Sequence, residues 1–214
     1  MGSSNAECLR LGMKAPDFTA ATTFGDLTLS CLKGKWIVLF SHPGDFTPVC
    51  TTEFISFAKC TPLFAQRNVQ LIGLSIDSNP SHLAWAYNIF KHTGIHIPFP
   101  IIADRDGSIS RQYGMIAEDV SSTQTVRNVF IIDDKQIIRT ILVYPLTNGR
   151  NIPEILRIID ALQTSDKEKI VTPANWVPGM PVLLPPPSDY KTLLERVTCP
   201  KGLKCVDWYW CYKQ

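Results

Sequence analysis

The chain has 214 residues, of which 45% are hydrophobic and 19% are charged, a composition typical of a folded protein with one main core. Its formal net charge of +2 supplies no strong field for nucleic acid or for an anionic membrane surface, so neither partner is expected. Residues 1–20 lack the apolar stretch of a secretory signal, and no apolar run approaches the roughly 18 residues that span a bilayer, which favours a cytoplasmic protein.

A strand, a loop and a helix follow one another early in the chain. Residues 35–41, KWIVLFS, are a short apolar run rich in β-branched and aromatic side chains, and the breaker cluster HPGD follows at 42–45. This pattern predicts a buried strand that enters a loop. From Thr47 to Asn68 the pattern becomes helical. The predicted buried face of this helix carries Phe54, Phe57, Ala58 and Phe64.

Strand and helix patterns alternate through the rest of the first 168 residues. They predict strands at 69–76, 126–132 and 136–142 and helices at 80–90 and 152–162. The helix at 80–90 is expected to place Leu83, Tyr87 and Phe90 on one side. Alternating β and α units, followed by a hairpin and a helix, predict an α/β fold of the thioredoxin-like kind, a mixed sheet flanked by helices.

The composition changes near residue 169 and becomes rich in proline. We therefore predict a thioredoxin-like domain over 1–168 and a smaller C-terminal extension domain over 169–214. The proline-rich segment around Trp176 is too apolar for a flexible linker. It is expected to pack against another protein surface, and that of a partner subunit is one candidate. A short helix and an aromatic, cysteine-bearing tail should follow it.

Cysteine is the residue type whose role has to be decided. The seven cysteines are Cys8, Cys31, Cys50, Cys60, Cys199, Cys205 and Cys211. An odd number argues against a fully paired extracellular framework, which leaves core packing, metal binding or a reactive thiol. No signature surrounds Cys8, Cys31 or Cys60, so these are expected to be small buried hydrophobes.

Cys50 has the local setting of a reactive thiol. Thr47 suits an N-cap and Pro48 the first helical position, which places Cys50 in the first turn, beyond the end of a buried strand. A free thiol is only about 3% ionised at pH 7, and a helix N-terminus supplies about 0.3–1 kcal/mol of the roughly 3.4 kcal/mol needed to lower a thiol pKa to about 6. A cation must supply the rest, Arg127 being the first candidate and Arg150 the second. The alternative is an ordinary core cysteine.

Residues 43–50, PGDFTPVC, fit the PxxxTxxC signature of peroxiredoxins, and residues 40–43, FSHP, resemble their one-cysteine subfamily. The likeness extends over most of the chain through 74–77, 98–102, 144–145, 147–151 and 171–176, the last being typical of the subfamily's C-terminal extension. The resemblance implies a thiol-dependent peroxidase that reduces hydrogen peroxide and organic hydroperoxides without a cofactor or a metal.

The resemblance also implies individual roles. Cys50 is expected to be the peroxidatic nucleophile, Thr47 to hydrogen-bond the peroxide, Pro43 to shield the thiol, and Arg127 to activate both sulfur and substrate. Donors aimed at both peroxide oxygens would stabilise the transition state more than the ground state. The simpler alternatives are a helix cap for Thr47, a strand terminator for Pro43 and a surface salt bridge for Arg127.

Supporting roles are expected for three residues, His42, Glu53 and Arg150. The subfamily resemblance places His42 beside the thiol, although a histidine in such a loop can instead hydrogen-bond only the backbone. Glu53, one turn after Cys50, is expected to orient Arg127 or Arg150, with an ordinary helix-surface position as its alternative.

The tail departs from the one-cysteine pattern, because Cys199, Cys205 and Cys211 follow at intervals of six. It resembles archaeal and bacterial members in which a tail cysteine of one subunit resolves the oxidised thiol of its neighbour. Cys211 is therefore expected to resolve Cys50, with Cys205 as the alternative, and a thioredoxin-like dithiol to reduce the disulfide, within a homodimer at least. A structural disulfide within the tail, packing without chemistry, and a true one-cysteine cycle with an external thiol remain open. Zinc binding is disfavoured by the spacing.

The sequence bears on two further activities. Some members of the subfamily hydrolyse phospholipids with a Gly-Xaa-Ser-Xaa-Gly segment, but the corresponding residues 32–36, LKGKW, contain no serine. The aromatic, proline-rich extension also suggests a holdase chaperone built as a ring of dimers, and the sequence leaves open whether dimers assemble further, for example into a ring of five dimers. The simplest role for the aromatic residues 208–210 is to anchor an interface.

Overall fold

The structure, a computed structural model, describes residues 8–213. These residues separate into two units, one ending at Ile152 and the other beginning at Pro153. The domain boundary predicted between residues 168 and 169 lies at the end of a helix of the second unit, and it stays a prediction. Within the described part of the chain, no helix combines the length and the apolar character needed to cross a membrane.

Seven strands form the mixed sheet of the first unit. In chain order they are β1 (Thr19–Thr22), β2 (Gly25–Thr28), β3 (Trp36–Ser41), β4 (Val69–Ser75), β5 (Ile101–Ala103), β6 (Arg127–Ile132) and β7 (Ile138–Tyr144). Their order across the sheet is β2-β1-β5-β4-β3-β6-β7, with β3 parallel to β4 and antiparallel to β6. The predicted mixed sheet and its β6–β7 hairpin are confirmed.

The described residues of this unit form three α-helices, α1 (Pro48–Gln66), α2 (Asn79–Thr93) and α3 (Ser108–Gln112). Helix α1 begins as predicted, because Thr47 is still extended and Pro48 takes the first helical position, where its missing N–H is not needed. The four side chains predicted to face the core are all buried. A Cβ at Gly73 of β4 would lie 3.0 Å from the ring of Phe54. Glycine at that position therefore lets α1 pack closely on the sheet.

Helix α2 turns a different side to the core from the one predicted. Leu83 and Tyr87 are 50% and 66% exposed, whereas its buried side chains are His82, Trp85 and Ile89. Polar contacts set this rotation, since Trp85 Nε1 donates to the Thr51 hydroxyl at 3.2 Å and His82 is held by hydrogen bonds on both sides of its ring. Trp85 and Ile89 are apolar too, so hydropathy did not distinguish the two sides of α2, whereas the hydrogen bonds of Trp85 and His82 do.

The expectation that the cysteines outside the motif are buried is also wrong. Cys8 and Cys31 are exposed, and Cys60 is half-buried. Cys31 lies in a 3₁₀ turn over Leu29–Leu32, of which only Leu29 is buried, and Cys60 lies beside the phenylalanine face of α1 rather than on it.

The second unit contains α4 (Ile152–Glu168), α5 (Tyr190–Val197) and a small sheet of order β8-β10-β9. Its strands are β8 (Val182–Leu183), β9 (Leu203–Asp207) and β10 (Trp210–Lys213). The proline-rich segment packs within this unit, as Trp176 is 3% exposed in a cluster with Ile170 and Val182. The short helix expected after the prolines is confirmed as α5.

Candidate active site

Cys50 lies at the start of α1 and is fully buried. It is the third residue of the helix, so backbone N–H groups of the first turn that have no partner within the helix surround it. The loop that precedes it leaves the end of β3 through His42 and Pro43, both buried. The strand, the loop and the helix N-terminus predicted from the sequence therefore meet at this thiol.

Arg127, the first residue of β6, is the cation that touches Cys50. Its NH1 lies 3.3 Å from the Cys50 sulfur and 2.7 Å from Oε2 of Glu53. The other side of the guanidinium is fixed by the backbone carbonyl of Leu146, which accepts from Nε at 3.0 Å and from NH2 at 2.8 Å. Arg127 is 2% exposed, so a buried, oriented positive charge lies against the sulfur.

Glu53 joins the two candidate arginines. Its Oε1 accepts from the backbone N–H and Nε of Arg150, both at 2.8 Å, and its Oε2 accepts from NH2 of Arg150 at 2.7 Å. Burial alone would raise the pKa of Glu53, but the hydrogen bonds and charge of Arg150, with the charge of Arg127, lower it. Glu53 is therefore a carboxylate in the folded protein.

Arg150 supports this centre without a hydrogen bond to the sulfur. Its NH1 donates to the backbone carbonyls of Ser41 at 2.9 Å and of Asn128 at 3.0 Å, and its other donors go to Glu53. Burial lowers the pKa of Arg150, and Glu53 opposes that effect. The structure thus places Arg150 as a link between β3, β6 and α1.

Thr47 occupies the N-cap position of α1, but its side chain makes no cap hydrogen bond. The hydroxyl instead donates to the carbonyl of Gly44 at 2.8 Å. Because that proton is used, the free capacity of the Thr47 oxygen is to accept a hydrogen bond, whereas the sequence analysis expected a donor.

His42 is one end of a chain of polar groups that sequence reasoning did not find. Its Nε2 lies 3.0 Å from Oδ1 of Asp45, and the carboxylate of Asp45 also lies 3.0 and 2.9 Å from Nδ1 of His82. Burial lowers the pKa of His42, which Asp45 opposes. Burial would raise the pKa of Asp45, but the hydrogen bonds from both histidines hold it well below its usual range. A His-Pro-Gly-Asp sequence followed by a helical histidine was the available signal.

The tail cysteines form a disulfide with each other. Cys205 of β9 lies opposite Cys211 of β10 in the antiparallel register, and the two sulfurs are bonded. Cys211 is fully buried and Cys205 is half-buried. Cys199 is free and exposed, and its sulfur accepts from the Cys205 backbone N–H at 3.2 Å. A disulfide within the tail was one of the alternatives left open by the sequence.

The chain is similar to known proteins over most of its length. A model of the AhpC/TSA family matches residues 11–141, and a model of the C-terminal domain of 1-Cys peroxiredoxin matches residues 161–198. The chain is 63% identical over 208 residues to Peroxiredoxin 2 of Caldanaerobacter subterraneus subsp. tengcongensis, covering 97% of this chain and 94% of that protein.

Solved structures give the same picture. A yeast mitochondrial 1-Cys peroxiredoxin matches with a TM-score of 0.84 and 41% identity, over 96% of this chain and 99% of that one. A cysteine-to-serine mutant of Peroxiredoxin 6 of Arenicola marina matches with a TM-score of 0.85 and 37% identity, over 96% of this chain and 97% of that one. These neighbours confirm the thioredoxin-like fold class.

Proposed function

The chain belongs to the AhpC/TSA family and is a peroxiredoxin, a thiol-dependent peroxidase, and we propose that Cys50 is the thiol that attacks hydrogen peroxide and organic hydroperoxides. The observation that carries this assignment is the 3.3 Å contact between the Cys50 sulfur and NH1 of Arg127. A thiolate is the nucleophilic form of cysteine, and a buried guanidinium against the sulfur attracts the negative charge of the reacting group.

The reaction needs few parts. The Cys50 thiolate attacks one peroxide oxygen in line with the O–O bond, the S–O bond forms as the O–O bond breaks, and the departing oxygen leaves as hydroxide or alkoxide and takes up a proton. Cys50 becomes a sulfenic acid, oxidised by two electrons, and the peroxide is reduced by two. Arg127 acts by stabilising negative charge that moves from the sulfur to the departing oxygen.

The other predicted residues shape the site. Thr47 accepts a hydrogen bond from the peroxide, because its own proton is held by Gly44. Pro43, which is buried, shields the thiol from water. His42 supports the substrate from the β3 side, while Glu53 and Arg150 act through Arg127 by holding its guanidinium in place.

The assignment is tested by replacing single cysteines on the same helix. Cys50→Ser should abolish peroxide consumption, whereas Cys60→Ser, three turns along α1 and half-buried, should consume peroxide at the wild-type rate. A sulfenic acid probe followed by peptide mapping should label position 50 only. Undiminished turnover by Cys50→Ser would show that another group is the nucleophile.

For resolution, we propose that Cys211 of a partner subunit condenses with the Cys50 sulfenic acid, releasing water and forming a mixed disulfide. The tail must then be in its dithiol state when Cys50 is oxidised, because the Cys205–Cys211 disulfide leaves neither sulfur free. Cys205 can attack Cys211 in the mixed disulfide, which frees Cys50 and closes the tail disulfide for reduction by a thioredoxin-like dithiol. Cα atoms within about 7 Å are required, so the start of α1 or the tail must move.

This route predicts a transient product. Prereduced protein treated with one equivalent of peroxide should give a dimer linked from Cys50 to Cys211 on a non-reducing gel, and Cys205→Ser should make that dimer accumulate. Cys199→Ser is the matched control in the same tail. Peroxide turnover with the thioredoxin-like dithiol that is unchanged in Cys211→Ser would show that Cys211 does not resolve Cys50.

A one-cysteine cycle is the second candidate, and the tail disulfide favours it because it occupies both proposed resolving thiols. The similar yeast protein is described as a 1-Cys peroxiredoxin whose thiol is resolved via glutathione and thioredoxin systems. In that case a Cys205→Ser, Cys211→Ser double variant should turn over peroxide with glutathione as well as the wild type does.

The proposed assembly is a homodimer, with a ring of five dimers as the larger form. Exposed apolar side chains in the second unit support an interface or a holdase role, among them Val197, Val206, Trp208, Tyr209 and Trp210. Solution mass measurement decides the assembly, and suppression of client aggregation by Cys50→Ser decides the chaperone role. The free thiols of Cys8, Cys31 and Cys60 support a reducing compartment such as the cytoplasm.

A further inference from the structure

Three buried side chains, His42, Asp45 and His82, form a hydrogen-bonded chain next to the Cys50 centre. His42 follows the end of β3, Asp45 lies in the loop before α1, and His82 belongs to α2. The side chains of both histidines are 0% exposed and that of Asp45 is 2% exposed. Water is therefore excluded from the chain, and the protonation of each nitrogen is set by what it faces.

His82 faces acceptors on both sides. Its Nε2 lies 3.1 Å from the carbonyl oxygen of Ile102, which can only accept a hydrogen bond. Its Nδ1 lies 3.0 and 2.9 Å from the two oxygens of Asp45, and the lowered pKa of Asp45 keeps that carboxyl ionised. A neutral His82 would point a lone pair at one of these oxygens. Both nitrogens therefore face acceptors, which is the arrangement of a doubly protonated ring paired with a carboxylate.

His42 is held in one tautomer by the same carboxylate. Its Nε2 lies 3.0 Å from Oδ1 of Asp45 and must carry the proton. Its Nδ1 is buried and has no hydrogen-bond partner, and burial lowers the pKa of His42, which disfavours a second proton there. The charged groups that act on His42 are Asp45, His82 and Asp77, and its ring packs on Trp85.

Two contacts link His42 and its neighbour to residues around Cys50. The carbonyl of the preceding residue, Ser41, accepts from Arg150 NH1 at 2.9 Å, and the His42 ring lies 4.7 Å from that of Phe54, one turn after Cys50 on α1. We propose that His82, as an imidazolium paired with Asp45, is a positioning residue that keeps Nδ1 of His42 unprotonated, as an acceptor for an O–H group at Cys50. That role rests on the proposed function of Cys50, whereas the protonation states do not.

A metal ion is the competing occupant, since these three side chains form the one group within residues 8–213 that could hold one. Their nitrogen-to-oxygen separations of 2.9 and 3.0 Å are hydrogen-bond lengths. Ligands of a tetrahedral zinc at about 2.0–2.1 Å would stand about 3.3 Å apart. The observed geometry thus fits protons between the groups rather than an ion.

The protonation states can be read directly by nitrogen NMR on reduced full-length protein labelled with ¹⁵N-histidine. The chain has four histidines, of which His92 and His96 are exposed, and spectra of the His92→Gln and His96→Gln variants identify the signals of that pair. We expect two protonated nitrogens in His82, and in His42 a protonated Nε2 with a bare Nδ1. A bare nitrogen in His82, a proton on Nδ1 of His42, or a stoichiometric shift of both on adding zinc would overturn the proposal.

Two variants separate positioning from packing. Asn places its amide nitrogen near the position of histidine Nδ1 and keeps the hydrogen bond to Asp45, whereas Gln places it near Nε2 and keeps only that to Ile102. The rate constant for Cys50 oxidation by one equivalent of peroxide should fall about tenfold in His82→Gln and about threefold in His82→Asn. Packing alone predicts the reverse order, because Gln is nearer to histidine in volume, and that order would refute the role. Activity that survives Cys50→Ser would instead refute the proposed function.

Discussion

Neutralising Arg127 is the sharpest perturbation of the peroxidase centre. With an effective dielectric constant of about 20, a charge 3.3 Å from the Cys50 sulfur attracts the thiolate by about 5 kcal/mol. Glu53 shares the same nitrogen and lies at most about 6 Å from the sulfur, so it opposes this by about 3 kcal/mol. Arg150 offsets part of that repulsion. Loss of Arg127 leaves the Glu53 repulsion in place, so this difference of roughly 2 kcal/mol, about 30-fold in rate, is the smallest loss to expect.

Arg127→Gln should therefore lower the second-order rate constant for hydrogen peroxide at least about 30-fold, and nearer 1,000-fold if the same N–H also binds the departing oxygen. Arg127→Lys keeps the charge but cannot hold Leu146, Glu53 and the sulfur together, so its rate should lie between those of Gln and the wild type. The assay is rapid mixing with prereduced protein and trapping of the Cys50 sulfenic acid.

The fold should survive these changes. Arg150 keeps Glu53 hydrogen-bonded, so the loss of Arg127 should cost about 1–3 kcal/mol of unfolding free energy. Thermal unfolding of each variant is the control. A folded Arg127→Gln protein whose rate constant is within about threefold of the wild-type value would refute the electrostatic account.

Three further substitutions test the surrounding structure. Glu53→Gln should destabilise the protein by about 3 kcal/mol at pH 7. Because the pKa of Glu53 is lowered in the folded protein, this difference in unfolding free energy is present above the unfolded-state pKa of about 4.3 and disappears as pH falls through the folded-state pKa. Urea unfolding at several pH values measures it, and a constant difference would contradict the ion-pair role. Gly73→Ala should cost about 1–3 kcal/mol, because its Cβ would lie 3.0 Å from Phe54; an unchanged melting temperature would show that α1 can move away. Asp189→Ala removes the N-cap hydrogen bond from the Thr192 N–H at 2.8 Å and should destabilise α5 by about 1 kcal/mol. Amide hydrogen exchange should become faster in α5 alone, and unchanged exchange would mean that this hydrogen bond does not stabilise the helix.

Much of the first unit was predictable because its strongest signals are local. The apolar run of β3, the proline at the start of α1 and the phenylalanine spacing along that helix each follow from short-range chemistry. Strands β1, β2 and β5 have four, four and three residues, too few to show a period. They exist through pairing with distant strands, which no local pattern reports.

The candidate site divides in the same way. Cys50, Thr47 and Pro43 lie in one short segment with a recognisable spacing, and Arg127 and Arg150 could be proposed because a thiolate needs a cation. His82 could not be found, since its contacts to Asp45 and Ile102 cross from α2 to a loop and to β5. A hydropathy pattern assigns a histidine to the surface, whereas here two hydrogen bonds allow it to be buried.

The carbonyl oxygen of Leu146 affects how mutational data on this protein should be interpreted. It accepts two hydrogen bonds from Arg127, yet every amino acid has the same oxygen. In a saturation scan, position 146 should tolerate many side chains and look dispensable, while a one-residue deletion or insertion between 145 and 149 should be as damaging as losing the arginine. Tolerance of substitution at position 146 would report on the side chain of Leu146 and not on its carbonyl oxygen, which accepts the hydrogen bonds from Arg127.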